Sequence, residues 1–220
     1  MLFRSAMDVL RREKATEAAF RAHAAKHRWL HLATHGFFAP PSLKSALAPR
    51  DEDAVAGLRI GKKGIEGHHP GLLSGLALAN ANVAADGGED GILTALEVAT
   101  LDLGGVEVVV LSACETGLGR VAAGEGILGL QRAFQVAGAK TTVTSLWKVP
   151  DAATSQLMQR FYENLCEKKM GKLAALRDAQ LWLLNEGRTR GLRLEGESDN
   201  DASRLPPHFW AAFVLAGDWR

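Results

Sequence analysis

Val106-Glu107-Val108-Val109-Val110-Leu111-Ser112-Ala113-Cys114-Glu115-Thr116-Gly117 is the stretch on which the fold turns. An apolar run interrupted only by Glu107 suits a strand covered on both faces, as in a parallel sheet. The polar residues and glycine that follow mark the chain leaving the core, which places Cys114 at the carboxyl end of that strand. Upstream, His31-Leu32-Ala33-Thr34-His35-Gly36 repeats the arrangement: residues 29–33 read as a short strand, and His35 stands at its carboxyl end. In open α/β sheets ligands bind outside the carboxyl ends of the strands. A thiol and an imidazole brought together there are the two parts of a cysteine nucleophile. The imidazole takes the thiol's proton, and the thiolate attacks a carbonyl.

Outward from these runs, helices alternate with strands. Residues 15–28 are Ala-rich and helical, and 37–70 form a long connection with Pro, Gly and charge. Residues 72–79 are apolar and stop at Asn80-Ala81-Asn82; 93–101 read as a short helix. Residues 127–137 are helical, with Ile127, Leu130, Phe134 and Ala137 on one face and Gly138 as the stop. Residues 141–147 form a strand rich in β-branched side chains. Pro150-Asp151 opens a helix through 165, with Leu157, Met158, Phe161 and Leu165 at helical spacing; 173–184 form another helix, 188–207 a polar loop, and 209–215 a last strand. The alternation predicts an α/β fold: a three-layer α/β/α sandwich on a mostly parallel sheet.

The 220 residues suffice for one domain with a real core. A net charge of +1 argues against direct nucleic-acid binding. No apolar run approaches the roughly 18 residues of a membrane span, and residues 1–14 lack a signal peptide's apolar region. Two cysteines, Cys114 and Cys166, are too few for a disulfide framework, so the expected setting is cytoplasmic.

Each site residue has a plainer rival reading. Cys114 after a buried strand also fits an inert core thiol. His35 alone also fits a satisfied structural histidine. The pair weighs more than its parts, because a base must reach its nucleophile. Gly36 and Cys114 can supply backbone N–H groups to an oxyanion, although Gly36 equally fits a plain turn.

With these residues in view, the chain resembles the CHAT domain, a caspase-like cysteine peptidase domain often joined to TPR repeats. The resemblance rests on His31 to Gly36, Leu111 to Gly117, Gly124-Glu125-Gly126, Gly138-Ala139, Ser145-Leu146-Trp147-Lys148-Val149-Pro150-Asp151, Phe161-Tyr162 and Pro207 to Asp218. It implies a caspase-like sandwich with His35 as base, Cys114 as nucleophile, and the Gly36 and Cys114 amides as oxyanion hole. His35 and Cys114 are further apart than the roughly 50 residues typical of caspases, and the segment 37–70 accounts for the excess. It also implies hydrolysis of a protein or peptide substrate, gating by a partner such as a TPR or other regulatory domain, and no cofactor. Family members usually have further strands before the helix that precedes the His-Gly motif. The expectation is therefore a CHAT-like unit over 15–220 lacking its first strands, an atypical segment over 1–14, and an open sheet edge.

Asp151 has two readings. One is a helix cap beside Pro150. The other comes through separases, which are similar to CHAT domains here: an acidic residue in this stretch receives a basic P1 side chain, and a carboxylate pairs with guanidinium through two hydrogen bonds. Glu115 and the cluster over 86–90 are rival acidic candidates. Gly117-Leu118-Gly119-Arg120-Val121-Ala122 loosely matches a dinucleotide fingerprint, but no acidic residue follows at the required spacing, since position 137 is Ala. His31/His35 and His68/His69 lack the partners of a zinc motif, so no metal is expected. Cys166, beside Lys168 and Lys169, reads as a passive helix residue, and Trp210 and Phe213 as core aromatics. A catalytically idle interaction module of a larger TPR-containing protein is the alternative function.

Overall fold

The computed structural model describes residues 7–38, 68–83, 89–112, 126–193 and 204–220. Strands β1 (Trp29–Leu32), β5 (Val108–Leu111), β6 (Thr141–Ser145) and β7 (Phe213–Gly217) form one sheet in the order β1-β5-β6-β7. The first two pairings are parallel and the last is antiparallel. Strands β2 (His35–Phe38), β3 (Ser74–Ala77) and β4 (Ile92–Thr94) form a separate antiparallel ribbon. The helices are α1 (Glu17–Ala24), α2 (Ala95–Ala99), α3 (Gly126–Val136), α4 (Asp151–Cys166), α5 (Lys172–Glu186) and α6 (Pro207–Trp210).

Strand β5 explains the layering. Val108 and Val110 point into a core with α4 and α5 residues Leu157, Phe161, Leu176 and Leu183. Val109 and Leu111 point the opposite way, into a core with Phe20 of α1, Val98 of α2 and Phe134 of α3. Both faces being covered, all four residues are buried, which is why the run carries no polar alternation. The result is the three-layer α/β/α sandwich read from the sequence.

Local chemistry sets several boundaries. Thr94 caps α2 by accepting from Glu97 N, and the Glu97 carboxylate accepts from Thr94 N at 2.8 Å, a reciprocal capping box. Gly138 ends α3 with φ +105°; a Cβ there would lie 2.8 Å from Gly104 N, so both backbone conformation and close approach demand glycine.

Several boundaries differ from the sequence reading. Residues 33–34 end the strand, and His35 opens β2 instead of standing at the end of β1. Phe37 and Phe38 therefore belong to β2, paired with Gly75 and Ser74, and not to a loop. Residues 92–94 are strand, with Thr94 as the cap of a helix that starts at Ala95. Residues 207–210 form a helical turn started by Pro207, so β7 begins only at Phe213. Phe213 is buried and Trp210 packs against the same core, as expected of core aromatics. Among the described residues no helix is long and apolar enough to cross a membrane.

Candidate active site

The register of β1 and β5 sets the strands that precede the two motifs side by side. Leu32 is the parallel partner of Leu111, and Ser112 N donates to Leu32 O at 2.9 Å, extending the ladder by one residue. His35 follows Leu32 by three residues, and Cys114 follows Leu111 by three. Both motifs therefore leave neighbouring strands at the same end of the sheet. Cys114 itself lies outside the described residues, as do Glu115, the glycine pattern over 117–122 and residues 86–88 of the acidic cluster.

His35 is fixed by the ribbon. It pairs with Ala77, and the Thr34 hydroxyl just before it donates to the Ala77 carbonyl. The imidazole is exposed while Gly36 is buried, so the ring faces solvent beside a backbone that the ribbon holds. Phe37 lies over Gly75: a Cβ on that glycine would come within 2.7 Å of the ring, so the missing side chain makes room for it.

The ribbon is in turn tied to the sandwich through α1. Ala79 N donates to Ala15 O at 2.9 Å, and Gly91 N donates to the buried Glu17 carboxylate at 2.9 Å. Arg21 bridges Glu17 at 3.3 Å and Glu97 at 2.9 Å, joining α1 to α2. Burial pushes the Glu17 carboxyl above its usual range, against the hydrogen bond from Arg21 that lowers it.

Asp151 is the exposed first residue of α4. The cap position belongs to Pro150, whose carbonyl accepts from Ala153 N and Thr154 N at 3.0 Å. Asp151 thus sits one place inside the helix, where its charge complements the positive end of the dipole. The turn from β6 into α4 lies at the carboxyl end of β6, next to β5. Trp147, Lys148, Pro150 and His208 bound a shallow depression there, closed on one side by a bond from Trp147 Nε1 to His208 O at 2.9 Å.

The other singled-out residues are engaged elsewhere. His31 projects to the α4 side, where its Nδ1 and the Tyr162 hydroxyl are 2.9 Å apart. His69 caps a short turn at Pro70–Leu72 by accepting from Gly71 N at 3.0 Å. Burial pushes the Cys166 thiol above its usual value, the opposite of what a nucleophile needs. The sequence reading missed the ribbon that holds His35. Its signal was faint: the apolar stretch over 72–79 was visible, but not its partner strand upstream, since the pairing of His35 with Ala77, 42 residues on, has no local mark.

Comparison with known proteins gives the chain's relatives and family. Tetratricopeptide repeat protein 28 of Mus musculus is 42% identical over 74 residues, which cover 34% of this chain and 3% of that protein. The protein of the same name from Homo sapiens is 40% identical over 74 residues, again 34% of this chain and 3% of its own length. The chain thus spans a small part of the curated relatives it matches. The CHAT domain family matches residues 1–218, almost the whole chain. This chain belongs to the CHAT domain family.

Proposed function

We propose that the domain is a caspase-like cysteine endopeptidase with His35 and Cys114 as its dyad. The carrying observation is the β1–β5 register, in which the strands preceding the two motifs end on paired residues, Leu32 and Leu111, at one end of the sheet. His35 removes the Cys114 proton, and the thiolate bonds to the carbonyl carbon of a peptide. The Gly36 and Cys114 amides receive the oxyanion. As the C–N bond breaks, the imidazolium gives its proton to the departing amine. Water, deprotonated by the neutral imidazole, then displaces the thiol and releases the acid. Asp151, beside the depression at Trp147 and Pro150, is the proposed acceptor of an Arg or Lys side chain at P1.

The test is a P1-positional peptide library with wild type, Cys114→Ala, His35→Ala and Asp151→Asn. Cleavage after Arg or Lys that either dyad substitution abolishes is the expected result. Losing charge-assisted bonds worth about 1.5–3 kcal/mol, Asp151→Asn should lower kcat/KM on Arg substrates roughly 10- to 100-fold. Cleavage after another residue would remove Asp151 from the proposal and keep the dyad. The TPR names of the matched relatives favour one second reading, an idle interaction module inside a larger protein. An absence of cysteine-dependent cleavage, with a slowly alkylated Cys114, would support it.

A further inference from the structure

At the amino end of β1, away from His35, three potential metal ligands converge. Asp8 Oδ2 lies 3.0 Å from His23 Nδ1 and 3.0 Å from His27 Nε2. The three ligand atoms all fall within 4.8 Å of one another. His23 lies in the last turn of α1, and His27 follows four residues later, one further turn along: the chain keeps turning there, with Lys26 N bonded to His23 O and His27 N to Ala24 O. Residues four apart share one face of a helical turn. Asp8 comes from the opposite direction, on a segment that runs back alongside α1 from the turn at Arg12–Lys14.

We propose that Asp8, His23 and His27 form a binding site for a borderline divalent cation of the zinc class. Two imidazoles and one carboxylate suit zinc, whereas magnesium and calcium favour oxygen-only shells. The geometry is close to what such an ion needs. Ligands at about 2.0–2.1 Å in a tetrahedron stand roughly 3.3 Å apart. The two Asp8 distances need to open by only a few tenths of an ångström to admit the ion, and the two ring nitrogens lie within 4.8 Å of each other. The side chains of Asp8, His23 and His27 are 48%, 40% and 28% exposed, so an ion can enter and a water can fill the fourth position. The site is remote from the proposed dyad, since β1 runs between them, about 13 Å of strand. Its effect is therefore structural: the ion replaces two hydrogen bonds with a cross-link that fastens the segment 7–14 to the helix leading into β1.

The experiment uses the chelator-treated full chain titrated with Zn²⁺ by calorimetry and with Co²⁺ by visible absorption. One equivalent of either ion should bind, and His23→Ala and His27→Ala should each weaken binding by more than about tenfold. The Co²⁺ complex should absorb as a nitrogen-and-oxygen site without a thiolate charge-transfer band. On the wild type alone, the ring resonances of His23 and His27 should shift with Zn²⁺ while those of His31 and His69 stay in place; this holds the proposal to account even if a variant fails to fold. No binding, binding unchanged in the variants, a thiolate band, or shifts at other histidines would each overturn it.

Discussion

Glu17 links the ribbon that carries His35 to the sandwich, and its replacement separates the role of shape from that of charge. Its side chain is only 3% exposed, and one oxygen accepts the buried Gly91 amide. Glu17→Ala leaves that amide without its partner. A lost hydrogen bond to a charged acceptor, with its donor still buried, costs about 1.5–3 kcal/mol. Glu17→Gln keeps a carbonyl oxygen for Gly91 and loses the charge pair with Arg21. Arg21 is one-third exposed and retains Glu97 at 2.9 Å, so this loss is under about 1 kcal/mol. It is offset further because ionised Glu17 carries a burial penalty. For a domain of this size, about 2–4 °C of Tm accompany each kcal/mol, so Glu17→Ala should melt roughly 3–12 °C lower and Glu17→Gln within about 4 °C of wild type. The pH dependence has a definite sign. The folded carboxyl titrates above its unfolded value, so its contribution to stability is full below the unfolded pKa and is lost as pH rises through the folded one. Measured against Glu17→Gln, wild type should gain relative stability as pH falls through that window. Urea denaturation from pH 4 to 7 provides the assay. Equal losses in both variants, or no loss in Glu17→Ala, would refute the claim that a neutral oxygen facing Gly91 is what this position requires.

Asn164 is fully buried and ties α4 to α5: it donates to Ala175 O at 3.0 Å and Asp178 at 2.8 Å, and accepts from Lys168 at 2.8 Å. Asn164→Asp puts a second carboxylate against Asp178 and should cost about 3 kcal/mol or more at pH 7, recovering partly in acid, as denaturation at pH 4 and 7 will show. In wild type the Asn164 bond, then Arg160, holds the Asp178 carboxyl below its usual range; the stability this confers is full above the unfolded pKa and is lost as pH falls through the folded one. Gly138→Ala should destabilise by about 2–4 kcal/mol, from positive φ and the 2.8 Å approach to Gly104, read by equilibrium unfolding.

Legibility from the sequence followed the range of the interaction. The apolar run at Val108–Leu111 announced a doubly covered strand because burial on both faces acts on every residue. The α4 residues Leu157, Met158 and Phe161 announced a buried face because helical spacing is local, and Gly138 announced its stop because positive φ is a property of one residue. The ribbon was not legible: β2 is four residues long and gains its structure from β3, across a long stretch of chain. Asp151 and Pro150 were read in the right place, but the cap fell on the proline, whose carbonyl serves where a side chain was expected. The site was legible as chemistry, from the His-Gly and Ala-Cys order. That the strands before the two motifs are neighbours had no local mark, and only the β1–β5 pairing supplied it.

The central claim is that His35 and Cys114 act on each other. The most direct measurement is the pH profile of Cys114 alkylation, in a Cys166→Ala background, with and without His35→Ala. The account predicts fast wild-type alkylation that persists well below pH 8.5, the ordinary thiol value, and a shift of the profile toward that value when His35 is removed. An ordinary, slow Cys114 whose profile ignores His35→Ala would contradict it.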